Sequence, residues 1–326
     1  MADLRVTVAG LELRNPVLAG SCEATATAEQ IRACLDAGAG AVVAKSTNES
    51  EAAKAQLRAA EYVLLDEELE ARPLGPASRT DSLFCRSGLL DEPFDTWVET
   101  LAELDRGAGD AYVVPSLIVA DLDEALRLAD AFQRAGLRWL ELNVAAAHAG
   151  QAPAGAIRTG AELVRPVRET VSLPLSVKVG SVEQAEAALA AGADAVVLAT
   201  RAQGFVPDLA TRRPVLGTFA AVGGAWAVPL TCRQLAEARL RLGPAACLVG
   251  TNGARDGHDV ARFLLAGASA AQLASAVVTD GPAALTRAID QFSAYLDEQG
   301  LAARELVGEA ADHVQTYEEV ALERRH

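Results

Sequence analysis

A half-repeat of apolar and polar positions returns along the chain: an alanine-rich helical stretch, a glycine, and then a short apolar run. Each glycine follows the end of a predicted helix, at the position where the backbone commonly adopts the left-handed conformation that favours glycine. The apolar runs are too short for amphipathic helices and are typical of parallel strands buried on both faces. The pattern occupies residues 31–46, 125–143, 185–200 and 261–275, with Gly38, Gly136, Gly192 and Gly267 at its centre.

Four further apolar runs complete a set of eight predicted strands: Pro16–Ala19, Ala111–Leu117, Leu175–Lys178 and Cys247–Gly250. Helical pattern links them, and strands that alternate with helices form a parallel sheet. Eight such strands in 326 residues predict an α/β fold, a (β/α)8 TIM barrel, as one domain over residues 1–326. A doubly wound sheet is the alternative, but it favours about six strands and an early glycine-rich fingerprint, and none follows the first strand.

The segments outside this repeat have patterns of their own. The start, RVTVAGLELRN, alternates around Ala9-Gly10 and predicts an N-terminal β-hairpin beneath the barrel. Residues 47–95 predict a helix and a loop at the barrel mouth, and residues 202–231 predict a similar mouth loop. Residues 282–326 predict the last barrel helix and a C-terminal helical tail.

Charge and cysteine content narrow the function. A net charge of −15 argues against nucleic acid and against anionic membrane surfaces as partners, and no apolar run reaches the roughly 18–20 residues of a membrane span. The five cysteines are scattered without C-x-x-C spacing, which indicates free thiols in a reducing compartment. With no signal peptide at the N-terminus, we expect a cytoplasmic protein. Histidines and carboxylates show no metal-ligand spacing, so we expect no metal.

Polar residues end seven of the predicted strands. In a barrel these residues share one mouth, although each alone is also an ordinary polar cap where a strand meets water. Two lysines at the ends of apolar strands would point two cations into one cleft, which suits an anionic or electron-rich ligand. The residues are Lys45-Ser46, Ser116, Asn143, Lys178, Thr200-Arg201, Thr251-Asn252 and Ser275.

Glycines gather near the last two strands. Gly223-Gly224 precede a helical pattern, Gly250 and Gly253 flank Thr251-Asn252 after strand 7, and strand 8 runs into Ala274-Ser275. Glycines let backbone approach a ligand closely, and helix N-termini point free amides outward, so this region predicts a phosphate site. Ordinary turn chemistry is the alternative.

Several of these stretches resemble the dihydroorotate dehydrogenase family, flavin enzymes on a (β/α)8 barrel. They include LRNPVLAGS, GAGAVVAKS, PLSVKV and LVGTNGARDGHDVARFLLAGASAAQLAS, and the resemblance runs from about Leu13 to the end. It implies FMN as the cofactor and a homodimer. The FMN-binding residues it implies are Ala19, Gly20, Lys45, Ser46, Asn143, Lys178, Thr200, Gly223, Gly224, Gly250, Thr251, Asn252, Gly253, Ala274 and Ser275.

The sequence departs from the family after strand 4. There the family has Asn-x-Ser-Cys-Pro-Asn, or Ser for Cys, and that Cys or Ser removes a proton from the substrate. Here Ala146 occupies the base position and cannot titrate. Of the asparagines that hold the pyrimidine in the family, Asn143 is retained, and the others fall on Asp91, His148 and Thr200. A site with different donors and acceptors selects a different ligand, so we expect a substrate other than dihydroorotate.

Besides Lys178 and Asn143, five residues are candidates for the catalytic and substrate-binding roles. Glu23 follows strand 1 and either faces the cleft or begins the next helix. His148 lies on the loop that carries the family's base and titrates near neutral pH; alternatively it only hydrogen-bonds the ligand or faces water. Cys85 could act as a base if its pKa were lowered, or be a packed thiol. Arg201 could bind a substrate carboxylate or lie at the rim. Asp91, in the mouth loop, is a further substrate-binding candidate.

The function that follows is an FMN-dependent oxidoreductase. It would move hydride between the flavin and a C–C or C–N bond of a small polar molecule, such as a cyclic amide or a carboxylate. Lys178 would be catalytic by stabilising negative charge on the reduced flavin. One alternative is a barrel lyase or isomerase that binds a phosphorylated substrate without flavin. Another is a flavin-binding homologue with repurposed catalysis.

Overall fold

The computed structural model describes residues 2–47, 55, 60–88, 90–118, 121–144, 160–198 and 201–323. In these ranges its strands, in chain order, are β1 (Val6–Val8), β2 (Leu11–Leu13), β3 (Val17–Ala19), β4 (Ala41–Val43), β5 (Glu61–Leu65), β6 (Ala71–Pro73), β7 (Ser82–Arg86), β8 (Tyr112–Val114), β9 (Ser116–Ile118), β10 (Leu140–Asn143), β11 (Leu175–Lys178), β12 (Ala195–Leu198), β13 (Ala202–Gly204), β14 (Ala220–Gly224), β15 (Leu248–Thr251) and β16 (Ala270–Leu273).

A parallel barrel occupies the centre of the molecule. Its strands pair in the order β8-β4-β3-β16-β15-β12-β11-β10-β9, all parallel. β8 and β9 are the two halves of one strand, separated by Pro115, which has no amide hydrogen to donate. The first half pairs with β4 and the second with β10, and a bridge from Thr47 to Leu117 adds to the closure. The prediction of an eight-stranded barrel is therefore confirmed.

Helices surround the barrel. They are α1 (Ala28–Asp36), α2 (Phe94–Gly107), α3 (Leu122–Arg134), α4 (Gly160–Thr170), α5 (Val182–Ala190), α6 (Val228–Leu242), α7 (Gly257–Leu265), α8 (Ser275–Asp280), α9 (Ala283–Gln299) and α10 (Tyr317–Glu323). Several begin at an N-cap residue whose side chain accepts a hydrogen bond from the backbone amide three residues later. These N-cap residues are Thr27, Asp121, Ser181 and Asp256. Such a cap contributes about 1 kcal/mol. The four glycines of the half-repeat all have positive φ, as their pattern predicts.

The two ends of the described chain also match their patterns. The turn between β1 and β2 has positive φ at both Ala9 and Gly10, the conformation that suits the twist of a two-residue hairpin. The Ala9 amide lies 3.4 Å from the sulfur of Cys247, which precedes β15, so the hairpin covers the end of the barrel opposite the mouth. Beyond β16 the chain is helical, with 3₁₀ turns between α9 and α10.

A five-stranded antiparallel sheet over the barrel mouth was not predicted. Its order is β13-β14-β7-β5-β6, and it joins residues 61–86 to residues 202–224. The interpretation of 47–95 as a helix and a loop, and of 202–231 as a loop, missed these strands. We call this sheet the lid sheet. Arg79 anchors it to the barrel by binding Asp256 and the fully buried Asp259, each at 2.8 Å.

No described helix combines the length and the apolar character needed to cross a membrane.

The contact between α7 and α9 provides a test of the helix layer. A Cβ at Gly257 would lie 2.5 Å from the carbonyl oxygen of Ala288, so one backbone must move. We expect Gly257→Ala to cost about 1–3 kcal/mol, as overpacking does, and to lower the thermal unfolding midpoint measured by circular dichroism. Gly107→Ala is the matched control, because nothing lies within 4 Å of its Cβ position. Equal midpoints for the two variants would contradict the close packing.

Candidate active site

A cleft of about 530 Å³ lies between the barrel mouth and the lid sheet. This volume falls within the range of small-molecule sites. Barrel strand ends form its floor and Tyr62, Leu83 and Ala221 of the lid sheet its roof. The predicted residues that it brings together are Lys45, Ser46, Asn143, Lys178, Arg201, Thr251, Asn252, Gly253, Ala274 and Ser275.

Lys178 belongs to a hydrogen-bond network inside the barrel. Its Nζ donates to Oε1 of Gln272 at 2.8 Å, and Nε2 of Gln272 donates to Oε2 of Glu141 at 2.6 Å. The Lys178 Nζ also lies 3.8 Å from Oε1 of Glu141. Glu141 and Gln272 are both buried. The ammonium at the cleft therefore has a fixed amide partner and a buried carboxylate behind it.

Lys45 is paired with a carboxylate from the neighbouring strand end. Its Nζ lies 2.7 Å from Oε1 of Glu23, which stands in a 3₁₀ turn after β3. Burial alone would raise the pKa of Glu23, but Lys45, together with smaller contributions from Tyr62 and Arg201, outweighs it, so this pKa lies below its usual range. Glu23 is thus ionised at neutral pH, and the pair brings no net charge to the cleft.

Ser46 is held by two further hydroxyls at the same rim. Its Oγ lies 2.8 Å from that of Ser116 and 3.1 Å from that of Ser21, and its amide donates to Ser21 Oγ at 3.1 Å. These contacts fix the turn that follows Lys45. Because a hydroxyl both donates and accepts, the group can adjust to either kind of ligand atom.

Arg201 contacts the lid sheet. Its guanidinium donates to the sulfur of Cys85 and lies 3.3 Å from the hydroxyl of Ser87. In the described part of the chain, no carboxylate lies within 4 Å of it to form an ion pair. Burial raises the pKa of Cys85 despite the charge of Arg201, so its thiol is protonated at neutral pH. The lowered pKa on which a Cys85 base depends is therefore not present.

Tyr62 adds a second neutral group to this side of the cleft. It is the antiparallel partner of Cys85 in the lid sheet. Burial, together with the charge of Glu23, raises the pKa of the Tyr62 phenol. Its hydroxyl remains protonated at neutral pH, so the Cys85 side of the cleft presents hydrogen-bond donors and one guanidinium.

Some of the residues predicted to form a phosphate site lie close together in the structure. Gly253 has a φ of 106°, and a Cβ there would lie 2.7 Å from the amide nitrogen of Val228 at the start of α6. A Cβ at Gly223 would lie 2.7 Å from Oδ1 of Asn252, so β14 packs on the same loop. Ser275 begins α8 and lines the cleft. The loop after β15 and the starts of two helices therefore meet at one end of the cleft.

Other predicted residues do not line the cleft. Gly250 leaves room for the ring of Phe263, which a Cβ would approach to 2.5 Å, and Gly224 leaves room for the carbonyl of Asp81. Ala19 and Gly20 are buried and are not part of the lining. Asp91 is exposed. Three predicted or notable positions, His148, Thr200 and Ala146, lie outside the described residues.

The sequence analysis did not predict three residues in or beside the cleft: Glu141, Gln272 and Tyr62. Glu141 and Gln272 each interrupt an apolar run, in WLELN and AAQLAS, and a polar residue inside a strand buried on both faces was the available signal. Tyr62 lies in the lid sheet, which was itself not predicted. Among the described residues, no group of three potential metal ligands is assembled.

A parallel (β/α)8 barrel with a polar cleft at the carboxyl ends of its strands has the architecture of a barrel enzyme. Sequence comparison identifies which kind. The model of the family described as Dihydroorotate dehydrogenase matches residues 81–296. The chain belongs to the dihydroorotate dehydrogenase family, a family of flavin-dependent oxidoreductases.

Two relatives extend the match to nearly the whole chain. Both are described as the catalytic subunit of dihydroorotate dehydrogenase B (NAD(+)). The one from Desulforudis audaxviator is 32% identical and covers 94% of this chain and 96% of its own. The one from Thermoplasma acidophilum is 25% identical and covers 92% and 95%. The resemblance seen in the motifs is confirmed.

The Glu23–Lys45 pair predicts a specific dependence of stability on pH. A carboxylate with a lowered pKa stabilises the fold above its unfolded pKa, and this contribution is lost as pH falls through the folded pKa. We expect Glu23→Gln to cost about 1–3 kcal/mol at pH 7, since Lys45 loses a charged hydrogen bond. The difference from the wild type should shrink below the ordinary pKa of 4.5.

Thermal unfolding midpoints of both proteins between pH 3 and pH 8 measure this difference. Lys45→Met and the double variant complete a mutant cycle that isolates the pair. A difference that stays constant across this pH range would show that Glu23 acts through packing alone.

Proposed function

We propose that this protein binds FMN in the cleft and moves hydride between it and a C–C or C–N bond of a small polar molecule. The observation that carries the proposal is that one cleft brings together the Glu23–Lys45 pair, the ammonium of Lys178 held by Gln272, the loop after β15 and the start of α8. FMN has the matching form, with an electron-poor ring at one end and a phosphate at the other. When bound, FMN supplies the two-electron chemistry.

The residues of the cleft fit this group. Gly253, Thr251 and Ser275 would hold the phosphate, because their backbone lies beside the start of α6 and in α8, where amides lack helical partners. Lys45, Ser46, Asn143 and Lys178 would hold the ring. Lys178 would stabilise negative charge there, and the lid sheet would exclude water from the cleft.

Proton transfer to or from the substrate needs a group that titrates, and Ala146 is not one. We keep His148 as the proposed group because it follows the end of β10 by five residues in the sequence and histidine has a suitable ordinary pKa. Cys85 and Tyr62 would then act as neutral hydrogen-bonding groups. A homodimer also stays a proposal, and it rests on the family resemblance.

For the substrate, we propose a small carboxylate other than dihydroorotate, with a cyclic amide as the second candidate class. Support comes from Arg201, a guanidinium that lines the cleft beside a neutral thiol and a hydroxyl. A cation removed from water is stabilised by a counter-charge, and a substrate carboxylate can accept two parallel hydrogen bonds from a guanidinium. Ala146 at the base position argues against the family's usual chemistry.

Flavin binding is tested with a matched pair of glycine variants. Purified protein incubated with FMN should show absorbance bands near roughly 370 and 450 nm, and it should bind FMN at least about tenfold more tightly than riboflavin, which lacks the phosphate. Gly253→Ala should remove most of that preference, because the new methyl group would collide with the start of α6. Isothermal titration calorimetry measures both affinities.

Gly243→Ala is the control. Gly243 also has positive φ, at 85°, but nothing lies within 4 Å of its Cβ position, and it does not line the cleft. Both variants therefore incur left-handed strain, and only Gly253→Ala should change the preference for FMN. A protein that stays colourless with FMN would instead support the lyase or isomerase without flavin.

The substrate proposal predicts two results in anaerobic flavin reduction. Dihydroorotate should not reduce the bound flavin at a catalytic rate, and active substrates should be carboxylates rather than their neutral amides. Arg201→Gln should raise KM for such a carboxylate by more than about tenfold, the scale of a lost buried charge pair. Arg201→Lys, which retains the charge, should have a smaller effect.

Rapid reduction by dihydroorotate, or equal KM values for carboxylates and amides, would overturn this assignment. If the flavin can be photoreduced but no candidate substrate or oxidant reacts with it, the alternative of a flavin-binding homologue with repurposed catalysis is favoured.

A further inference from the structure

The hydrogen bond between Gln272 and Glu141 crosses the interior of the barrel. Their strands, β16 and β10, are separated by β15, β12 and β11, so they stand on opposite walls of an eight-stranded barrel. Nε2 of Gln272 nevertheless lies 2.6 Å from Oε2 of Glu141. Glu141 is 1% exposed and Gln272 is 3% exposed. Two opposite walls of the barrel are thus joined by one polar contact directly behind Lys178.

The chemistry of the three groups permits one orientation of the Gln272 amide. A carboxylate only accepts hydrogen bonds and an ammonium only donates them. The NH₂ group of Gln272 must therefore face Glu141, and its oxygen must face Lys178, as observed. Each bond polarises the amide in the sense that strengthens the other. The Lys178 Nζ is consequently held at a defined point of the cleft.

Gly20 contributes to the same arrangement from the first barrel strand. A Cβ at this position would lie 3.2 Å from Cβ of Gln272 and 3.4 Å from its Oε1. A Cβ here would press on the Gln272 side chain, which would have to shift by a few tenths of an ångström. The glycine therefore leaves the space through which Gln272 reaches both partners.

Glu141 supplies a negative charge rather than only an acceptor. Within the described chain its Oε1 has no hydrogen-bond partner, and this atom faces the Lys178 Nζ at 3.8 Å. A buried carboxylate is costly, and an apolar residue in a barrel interior generally stabilises more. Its location behind the cleft lysine points to a role in the electrostatics of the cleft.

We propose that Gln272 and Glu141 are positioning residues that set how much positive charge Lys178 presents to the bound ligand. This inference rests on the proposed function, in which the ligand ring is that of FMN. A positive charge near the ring favours the reduced, negatively charged flavin and raises its midpoint potential. Gln272 holds the ammonium in place, and Glu141 offsets part of its charge, so the two residues act on the potential in opposite directions.

The test is an anaerobic redox titration of the bound flavin. Glu141→Gln keeps the shape and an acceptor for Gln272 but removes the negative charge, so the midpoint potential should shift upward. Gln272→Met removes both hydrogen bonds and lets Lys178 approach Glu141, so the potential should shift downward. Since the two shifts are opposite in sign, either variant tests the proposal if the other fails to fold.

Ser176→Ala is the matched control. Ser176 is fully buried on the strand next to Glu141, and its hydroxyl contacts Trp139 and the carbonyl of Leu140 rather than the network. It should lower the unfolding midpoint and leave the potential unchanged. If Glu141→Gln and Gln272→Met also leave the potential unchanged while Lys178→Met lowers it, the two residues are merely structural and the inference fails.

A measurement without flavin separates this inference from the proposed function. In flavin-free protein, mass spectrometry should show faster modification of Lys178 by an amine reagent in Gln272→Met than in the wild type or Ser176→Ala. Equal rates would refute the positioning by Gln272, whether or not the protein binds FMN. A wild type that never binds FMN, with the expected labelling difference, would refute the proposed function and retain the positioning.

Discussion

The desolvation of three cations at the barrel mouth is the constraint on which the site depends. Each is compensated in a different way: Lys45 by Glu23 at 2.7 Å, and Lys178 by an amide and a carboxylate deeper in the barrel. Among the described residues, Arg201 donates hydrogen bonds to neutral groups on the lid sheet, and the charge of Glu23 also acts on it. Because a buried charge without a counter-charge is costly, we assign the three cations different proposed roles. Lys45 is balanced by Glu23, Lys178 is held by Gln272 and Glu141, and Arg201 is the proposed binding group for a substrate carboxylate.

The fold places these cations together because parallel strands share one polarity. All barrel strands end at the same mouth, so residues that are far apart in the sequence lie close together there. The lid sheet covers the cleft, with Tyr62 in its roof and Cys85 bound by Arg201, which lines the cleft. Its ion pairs with α7 connect the cover to the region where the phosphate is proposed to bind. The loop between β15 and α7 therefore carries both Gly253, at the proposed phosphate site, and Asp256, which anchors the lid sheet.

Family membership and site chemistry answer different questions. The matches across nearly the whole chain establish the dihydroorotate dehydrogenase family. The side chains around the cleft decide which molecule reacts, since a family fold carries many specificities. Ala146 in place of a titrating base, together with the guanidinium of Arg201 in the cleft, is the basis for proposing a different substrate.

The barrel could be predicted from local sequence pattern. Buried strands leave short apolar runs, and helix ends leave glycines, so a short stretch of sequence is enough to recognise each unit. Local pattern also identified Lys45, Lys178 and the loop around Gly253, which end predicted strands. The lid sheet was not predicted. Its strand β7 pairs with β14, which is distant in the chain, and such pairing leaves no periodic pattern in the local sequence. Two features were decided only by the tertiary structure: Gln272 reaches across the barrel to Glu141, and burial keeps Cys85 protonated. Both depend on how separate segments of the chain pack together, because packing sets the distances between side chains and removes them from water.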